Sequence, residues 1–141
     1  MADQDRKTLA LEVCALDRAP ARLDAAEVTV PGIQGIFVVL PGHASLLSNL
    51  DIGPLLAVLP DGSNASFALN GGFAEVRDDR VLILSKTVEA EADIDVERAE
   101  RAKQRAEDRL NKQAESVDIA RAEVALKRAL TRLHVAGKGG A

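Results

Sequence analysis

Residues 93–133 contain neither glycine nor proline, and this break from the preceding sequence constrains the fold of the whole chain. Asp93 or Asp95 can cap the N-terminus of a helix by accepting from its free backbone N–H groups. Small apolar residues then recur at helical spacing and form one narrow stripe: Val96, Ala99, Ala102, Ala106 and Leu110. The pattern predicts a helix over residues 93–110.

A second helical pattern extends over about residues 117–133. Its apolar stripe consists of Ile119, Ala122, Leu126, Ala129, Leu130 and Leu133. If the linker at residues 111–116 reverses the chain, the two stripes pack against each other and form an antiparallel two-helix hairpin. Because alanine buries little apolar area, we expect this packing to be weak.

Each predicted helix also carries three arginines with the same seven-then-four spacing. The rows are Arg98, Arg105 and Arg109 in the first helix, and Arg121, Arg128 and Arg132 in the second. In an antiparallel hairpin both rows border the same edge, where like charges repel unless an anion or an acidic partner lies along them. The other interpretation is a solvated helix face, partly neutralised by pairs such as Glu97–Arg101 and Glu123–Lys127.

The sequence before residue 87 shows short β-like runs separated by glycine and proline. The run IFVVL at residues 36–40 is predicted to be a strand buried on both faces. We expect a turn at Gly71–Gly72 and a hairpin across Asp78–Asp79. The predicted strands cover residues 8–15, 27–30, 36–40, 52–59, 66–70, 73–76 and 81–86, with a turn or irregular strand at 18–22. Short strands at this spacing favour a β-sandwich or barrel.

The hydrophobic period changes from strand-like to helix-like near residues 87–92, where we place the domain boundary. The sequence thus predicts an α+β fold. An N-terminal antiparallel β-sandwich is expected at residues 1–88, followed by a C-terminal antiparallel two-helix hairpin at residues 89–141. The tail after Ala136 has nothing to pack against and is expected to fray.

Charge and composition exclude several functional classes. The formal net charge of -4 disfavours a nucleic-acid binder, because such proteins carry a basic surplus. No apolar run approaches the ~20 residues that cross a bilayer, and the polar N-terminus carries no signal sequence, so we expect a soluble protein. The single cysteine, Cys14, lies in an apolar alternation and is predicted to be a buried structural thiol.

The sequence offers no catalytic constellation. His43 and His134 fall in different predicted domains and have no cysteine or carboxylate at metal-ligand spacing, so no metal site is expected. Neither a nucleophile-elbow motif nor a phosphate-binding glycine loop occurs. The Asp78–Asp79 pair is explained by turn preference. We therefore expect a non-catalytic protein.

Four motifs in a fixed order resemble those of one family. They are LPGHASLL at residues 40–47, NGGFAEV at 70–76, IDVERA at 94–99 and ALKRALTRL at 125–133. Together with the predicted β-then-hairpin architecture, they resemble the epsilon subunit of bacterial F-type ATP synthases over residues 7–136.

The resemblance implies a rotor subunit in the central stalk of a proton-translocating ATP synthase, at the cytoplasmic face of the bacterial plasma membrane. The β-sandwich would link the gamma subunit to the ring of c subunits. Gln34 stands where the family often carries a glutamate. The implied contact segment is residues 34–47, and the residues matched to partner contacts are Gln34, Pro41, Gly42, His43 and Leu46.

The resemblance also implies that the hairpin is a mobile regulator. Extended along the stalk, it would inhibit ATP hydrolysis and meet acidic segments of the catalytic beta subunits. Folded on the sandwich, it binds ATP as a regulatory ligand in some family members, with no cofactor required. The residues matched to that nucleotide site are Glu89, Ile94, Asp95, Arg98, Ala99, Arg105, Arg128 and Arg132.

Two other functional classes remain open on the sequence alone. One is a stand-alone nucleotide-sensing or adaptor module that uses the arginine rows without a rotary partner. The other is a nucleic-acid-binding hairpin, whose affinity would fall steeply with salt and which the acidic net charge disfavours.

Overall fold

The computed structural model describes residues 7–112 and 116–137. In this part of the chain eight strands are followed by a single 3₁₀ turn (Glu91–Asp93) and two helices, α1 (Val96–Asn111) and α2 (Ser116–Val135). The strands are β1 (Leu9–Ala15), β2 (Arg18–Ala25), β3 (Glu27–Gly32), β4 (Gly35–Val39), β5 (Leu46–Val58), β6 (Asn64–Arg77), β7 (Arg80–Ser85) and β8 (Val88–Ala90). The predicted α+β fold, a sandwich followed by a helical hairpin, is confirmed.

The strands form one hydrogen-bonded path in the order β2-β1-β7-β6-β5-β3-β4, and β8 pairs with β6. The C-terminal half of β5 pairs with β3, which in turn pairs with β4. The C-terminal half of β6 pairs with β7, and β1 and β2 follow β7 in the strand order. The two long strands therefore run through both layers of the sandwich. Pairing is antiparallel except between β1 and β7, which run parallel with Leu11 opposite Val81.

The sandwich core follows from the period-two alternation of its strands. Leu9, Leu11 and Val13 of β1 are buried and lie in the core with Val81 and Ile83 of β7. Aliphatic side chains fill most of this core, with Phe67 the aromatic member among its buried residues. Burial on one face of each strand fixes the register, because a one-residue slip would turn the apolar side chains to solvent.

The prediction that residues 36–40 are buried on both faces is wrong. The strand exists as β4, but it is the last strand of the path and pairs with β3. Ile36 is 73% exposed and Val38 is 43% exposed, whereas Val39 is buried in the core. An edge strand in a two-layered sandwich covers the core with one face only. Because every residue of the run is apolar, the sequence did not show which face is exposed.

The prediction of a turn at Gly71–Gly72 is also wrong, because β6 continues through both glycines from Asn64 to Arg77. Gly72 has a φ of 109°, and a Cβ there would overlap the main chain at Leu84. The glycine pair thus allows close approach of β7 within a continuous strand. Two further predictions change, since residues 18–22 belong to the regular strand β2 and β5 begins at Leu46.

The predicted hairpin across Asp78–Asp79 is confirmed. Arg77 pairs with Arg80, and the two aspartates between them have φ values of 50° and 57°. Two successive positive φ values define the type I′ turn that matches the right-handed twist of a hairpin, and aspartate tolerates this conformation better than most residues.

The helices form the predicted hairpin, and alanine supplies most of its buried seam. Asp95 is the N-cap of α1, and its side chain accepts from the Arg98 N–H at 3.1 Å. Leu130, which we predicted on the seam, is 43% exposed because it lies at the margin of the stripe. The predicted linker at 111–116 and the tail after Ala136 lie partly outside the described residues. The buried seam residues are Ala99, Ala106, Ala122, Ala129 and Leu133.

A second buried face of α2 packs on the sandwich, at β5 and β6. Thr131 and Val135 are buried there, one and two turns after Lys127. At about 100° per residue, these three positions lie on the opposite side of α2 from the seam. Because α2 lies between α1 and the sandwich, its polar residues meet the strands directly.

Candidate functional site

Three polar contacts join α2 to the sandwich. Lys127 Nζ lies 2.5 Å from Asp51 Oδ2 of β5, and Arg128 Nε donates to Asn70 Oδ1 of β6 at 3.1 Å. Arg132 Nε donates to Glu89 Oε1 of β8 at 2.6 Å. We refer to these six residues as the α2 junction.

The sandwich holds the junction residues on ordered backbone. The Asn70 N–H donates to Ser85 Oγ at 3.0 Å, and Ser85 Oγ donates in turn to the Thr87 carbonyl at 3.1 Å. Ser85 is buried, so this link between β6 and the end of β7 is shielded from water. Glu89 lies opposite Ala68 in the β6–β8 ladder. The backbone of Asn70 and of Glu89 is therefore held by contacts within the sandwich.

The ion pairs of the junction favour attachment of α2 to the sandwich, but each contributes little free energy. The hydrogen bond from Lys127 holds the pKa of the Asp51 carboxyl below its usual range. The side chains of this pair are 49% and 39% exposed, and those of Arg132 and Glu89 are 34% and 31% exposed. Pairs with this much solvent contact contribute about 0–1 kcal/mol each. The junction therefore sets the orientation of α2 on the sandwich, and little free energy is needed to separate the two.

The space enclosed at the junction is small. A cavity of about 10 Å³ lies among Asn70, Thr87, Glu89, Arg128, Thr131 and Arg132. This volume is close to the minimum that one water molecule needs. Any larger anion must therefore approach Arg128 and Arg132 from the solvent side of the junction.

The structure brings together some of the residues matched to a nucleotide site. Glu89, Arg128 and Arg132 meet at the junction. Arg98 and Arg105 are exposed on α1, and within the described part of the chain no side-chain hydrogen bond or ion pair links them to those three residues.

The remaining members of that set have structural roles in the folded hairpin. Ile94 is buried with Ala68 and Val135, where the chain enters α1. Asp95 caps α1, and Ala99 is 2% exposed and packs within the seam.

Sequence reasoning missed Asp51, Asn70 and Lys127. The predicted Glu123–Lys127 pair does not form, because Lys127 instead contacts Asp51, 76 residues away in the sequence. Along α1 an i,i+4 ion pair joins Lys103 and Glu107 at 3.9 Å rather than the predicted Glu97–Arg101. No local pattern reveals the Asp51–Lys127 contact, since it depends on how α2 lies across β5.

Cys14 is half-buried rather than buried, because it lies on the face of β1 opposite the core. Burial and the neighbouring Glu12 carboxylate, whose Oε1 lies 3.6 Å from Sγ, raise the pKa of the Cys14 thiol. A raised pKa lowers the thiolate fraction at neutral pH, which disfavours a nucleophilic role.

The segment matched to partner contacts is divided by the edge strand. Gln34 lies exposed in the turn before β4, and Leu46 is the first residue of β5. The five residues of β4 separate Gln34 from the following loop (residues 40–45) by roughly 17 Å of strand. The implied contact segment is therefore two separate surface features.

The loop at residues 40–45, which we call the 40–45 loop, begins with a tight turn. The His43 N–H donates to the Leu40 carbonyl at 3.1 Å, and Gly42 has a φ of 87°. Pro41 and Gly42 occupy the two central positions, the arrangement of a type II turn. The His43 Nδ1 atom lies 2.6 Å from the Ala44 carbonyl oxygen, so the ring lies close to the backbone.

Comparison with known proteins decides the family. Residues 8–91 match the family described as ATP synthase, Delta/Epsilon chain, beta-sandwich domain. Residues 92–137 match ATP synthase, Delta/Epsilon chain, long alpha-helix domain. The chain belongs to the ATP synthase delta/epsilon chain family. As an epsilon subunit, it is a non-catalytic part of the rotary complex.

Individual relatives support the same assignment. The ATP synthase epsilon chain of Moorella thermoacetica is 42% identical over 130 residues, covering 92% of this chain and 97% of that protein. The epsilon chain of Bacillus subtilis is 44% identical over 132 residues, covering 94% and 99%. Both epsilon chains thus match this chain over nearly their full length.

Two solved structures resemble the fold. A chain in the Euglena gracilis mitochondrial ATP synthase OSCP/F1/c-ring structure has a TM-score of 0.77 and 26% identity, covering 92% of this chain and 81% of that one. A chain in the Tetrahymena thermophila mitochondrial central stalk/c-ring structure shares the fold, with a TM-score of 0.59 and 12% identity over 93% and 98%. Within the described residues of the epsilon subunit, neither helix is long and apolar enough to span a membrane.

Proposed function

We propose that this chain is the central-stalk epsilon subunit of a proton-translocating F-type ATP synthase. Its sandwich links the gamma subunit to the c-ring, and its hairpin inhibits ATP hydrolysis when it leaves the sandwich and extends along the stalk. ATP bound to the folded hairpin holds the hairpin on the sandwich. The complex works at the cytoplasmic face of the bacterial plasma membrane.

The α2 junction is the observation that carries the proposal. The side chains that attach α2 to the sandwich are the cations Lys127, Arg128 and Arg132. When the hairpin extends, the same cations become available to acidic segments of the catalytic beta subunits. Because partly exposed ion pairs contribute little stability, the same side chains can form contacts in the folded and the extended hairpin, and the two states differ little in free energy.

Exposed apolar side chains on the sandwich support the link to gamma and the c-ring. A monomeric surface rarely exposes many large apolar residues together, and such groups mark contact surfaces. Large exposed apolar side chains follow one another along edge strand β4, its two flanking loops and the start of β5: Ile33, Ile36, Val38, Leu40, Leu46 and Leu47. The Euglena relative is part of an assembly that contains F1 and the c-ring.

The partners of Arg132 support the proposed nucleotide control. In this structure Glu89 is the anion that Arg132 contacts. A triphosphate approaching from solvent offers bidentate acceptors to the terminal guanidinium nitrogens of Arg128 and Arg132, whose Nε atoms make the contacts to the sandwich. The proposal includes Arg98 and Arg105, which are exposed on α1, as further contacts to these phosphates. Ligand that binds only the folded hairpin stabilises that state by mass action.

Reconstitution tests the proposal. The full chain is added to membranes of the host ATP synthase from which the epsilon subunit has been removed, and both ATP-driven proton pumping and ATP hydrolysis are measured. We expect the full chain to restore pumping and lower hydrolysis, and a chain ending at Ala92 to restore pumping without lowering hydrolysis. Failure of the full chain to bind these membranes would contradict the rotor role, and equal hydrolysis with both chains would contradict inhibition by the hairpin.

A further inference from the structure

We propose that Asp79 is a positioning residue that orients the 40–45 loop toward its partner. The inference rests on the proposed function and takes the 40–45 loop, which holds three of the residues matched to partner contacts, as a surface that meets the c-ring. Asp79 Oδ1 accepts a hydrogen bond from the Gly42 N–H at 2.7 Å. This contact joins the type I′ turn between β6 and β7 to the centre of the type II turn in the loop.

Asp79 is itself held on both sides. It is the second central residue of a tight hairpin turn, with a φ of 57°, so its backbone is fixed by the pairing of Arg77 with Arg80. Its carbonyl oxygen accepts from the Ala10 N–H at 2.9 Å, which ties the turn to the region where β1 begins. A side chain anchored in this way can transmit the orientation of the sandwich to a neighbouring loop.

The other hydrogen bonds of the loop, among the described residues, are internal to it. They join His43 to Leu40 and to Ala44. Internal bonds define the shape of a turn, whereas its direction relative to the sandwich depends on the flanking strands β4 and β5 and on bonds that leave the loop. The Gly42–Asp79 bond is such a bond, and a bond from an N–H to a carboxylate is stronger than one between neutral groups.

Comparison with Asp78, the preceding residue, distinguishes the positioning role of Asp79 from the turn preference of aspartate. Asp78 has nearly the same backbone conformation, with a φ of 50°, so both aspartates suit the turn. The Asp78 carboxylate lies 3.6 Å from Arg77 Nε and is exposed. Turn chemistry therefore accounts for both residues, but contact with the 40–45 loop belongs to Asp79.

The experiment compares Asp79→Gly, Asp79→Asn and Asp78→Gly in the full chain. Glycine accepts the positive φ at either position, so the turn is retained and the Asp79 variant loses only the side-chain acceptor. Asparagine keeps an Oδ1 acceptor at the same place. Two quantities are measured: hydrogen exchange of the Gly42 amide in the free protein, and affinity for an F1–c-ring complex of the host enzyme that lacks epsilon.

We expect Asp79→Gly to speed exchange of the Gly42 amide by about tenfold and to weaken binding by about fivefold or more. Asp78→Gly should stay within about twofold of the unmodified chain in both measurements, and Asp79→Asn, which keeps a weaker neutral acceptor, should fall between Asp78→Gly and Asp79→Gly. Equal binding by Asp79→Gly and Asp78→Gly would overturn the positioning role. Absence of binding by the unmodified chain would instead overturn the proposed rotor function, so the two failures are distinguishable.

Discussion

Arg132 Nε donates a hydrogen bond to Glu89 Oε1 across 2.6 Å, and this contact ties the last turns of α2 to strand β8. Both side chains are about one-third exposed. The pair is buried enough to hold one geometry, and exposed enough for a solvent anion to reach the Arg132 guanidinium. An anion on the solvent side of Arg132 can therefore bind its other guanidinium nitrogens while Nε keeps its contact with Glu89.

Removing the carboxylate of this pair should loosen α2. We expect Glu89→Gln to increase hydrogen exchange of α2 amides by about twofold to fivefold, since a partly exposed pair contributes about 0.5–1 kcal/mol. Glu91→Gln is the matched control, because Glu91 is exposed and makes no ion pair among the described residues. Equal exchange in the two variants would show that the Glu89 contact does not hold the helix.

The Asp51–Lys127 contact should make attachment of α2 sensitive to acid. Its hydrogen bond keeps the pKa of folded Asp51 below the ordinary value of about 3.9. A lowered folded pKa stabilises the folded arrangement above the ordinary value, and this stabilisation is lost as the pH falls through the lower folded pKa. We expect α2 amides to exchange faster, after correction for intrinsic rates, as the pH falls below about 4.

Asp51→Asn tests the source of that pH dependence. The variant should show the faster exchange already at neutral pH and a flatter profile in acid. Asp24→Asn is the control, since Asp24 is exposed on β2 and has no ion pair in the described part of the chain. An acid profile that is unchanged in Asp51→Asn would assign the effect to other carboxylates.

The seam of the hairpin offers a comparison between two leucines. Leu133 is 3% exposed and Leu130 is 43% exposed on the same helix. We expect Leu133→Ala to destabilise the folded hairpin by about 2–3 kcal/mol, because it removes buried area and leaves a cavity. Leu130→Ala should cost less than about 1 kcal/mol. Hydrogen exchange of α1 amides measures both, and similar effects would mean that the helices pack on a different face.

The glycine pair within β6 offers a second comparison. Gly72→Ala should destabilise the sandwich by about 3 kcal/mol or more, because its Cβ overlaps the main chain at Leu84. Gly71→Ala should cost about 1 kcal/mol, since the backbone is strained but the nearest atom, the Leu50 carbonyl oxygen, lies at 3.7 Å. Urea unfolding of both variants tests this, and equal midpoints would contradict the close packing of β7 on Gly72.

Local sequence patterns predicted most of the fold. The strand-like run at residues 8–15 predicted β1, and Asp95, one of two capping candidates, is the N-cap of α1, which begins at Val96 rather than at Asp93. The pattern failed where the outcome depended on neighbours. The run at residues 36–40 does not reveal that β4 is an edge strand, and the glycines at 71 and 72 do not distinguish a turn from close packing in a continuous strand.

The candidate site was predicted in part. Helical spacing aligned Arg128 with Arg132, and family resemblance supplied Glu89, which the structure places against Arg132. The contacts of Asp51 with Lys127 and of Gly42 with Asp79 join residues 76 and 37 positions apart. Such contacts depend on how α2 and the loops lie on the sandwich, and local sequence patterns do not predict that arrangement.

Calorimetric titration of the full chain with ATP, and separately with ADP, tests the central claim most directly. We predict saturable binding of ATP, weaker binding of ADP, and loss of ATP binding in Arg128→Ala. Arg101→Ala is the matched control, because this exposed arginine of α1 lies outside the proposed site, and it should bind ATP as the unmodified chain does. Absence of heat at millimolar ATP, or equal losses in the two arginine variants, would contradict control of the hairpin by ATP bound at Arg128.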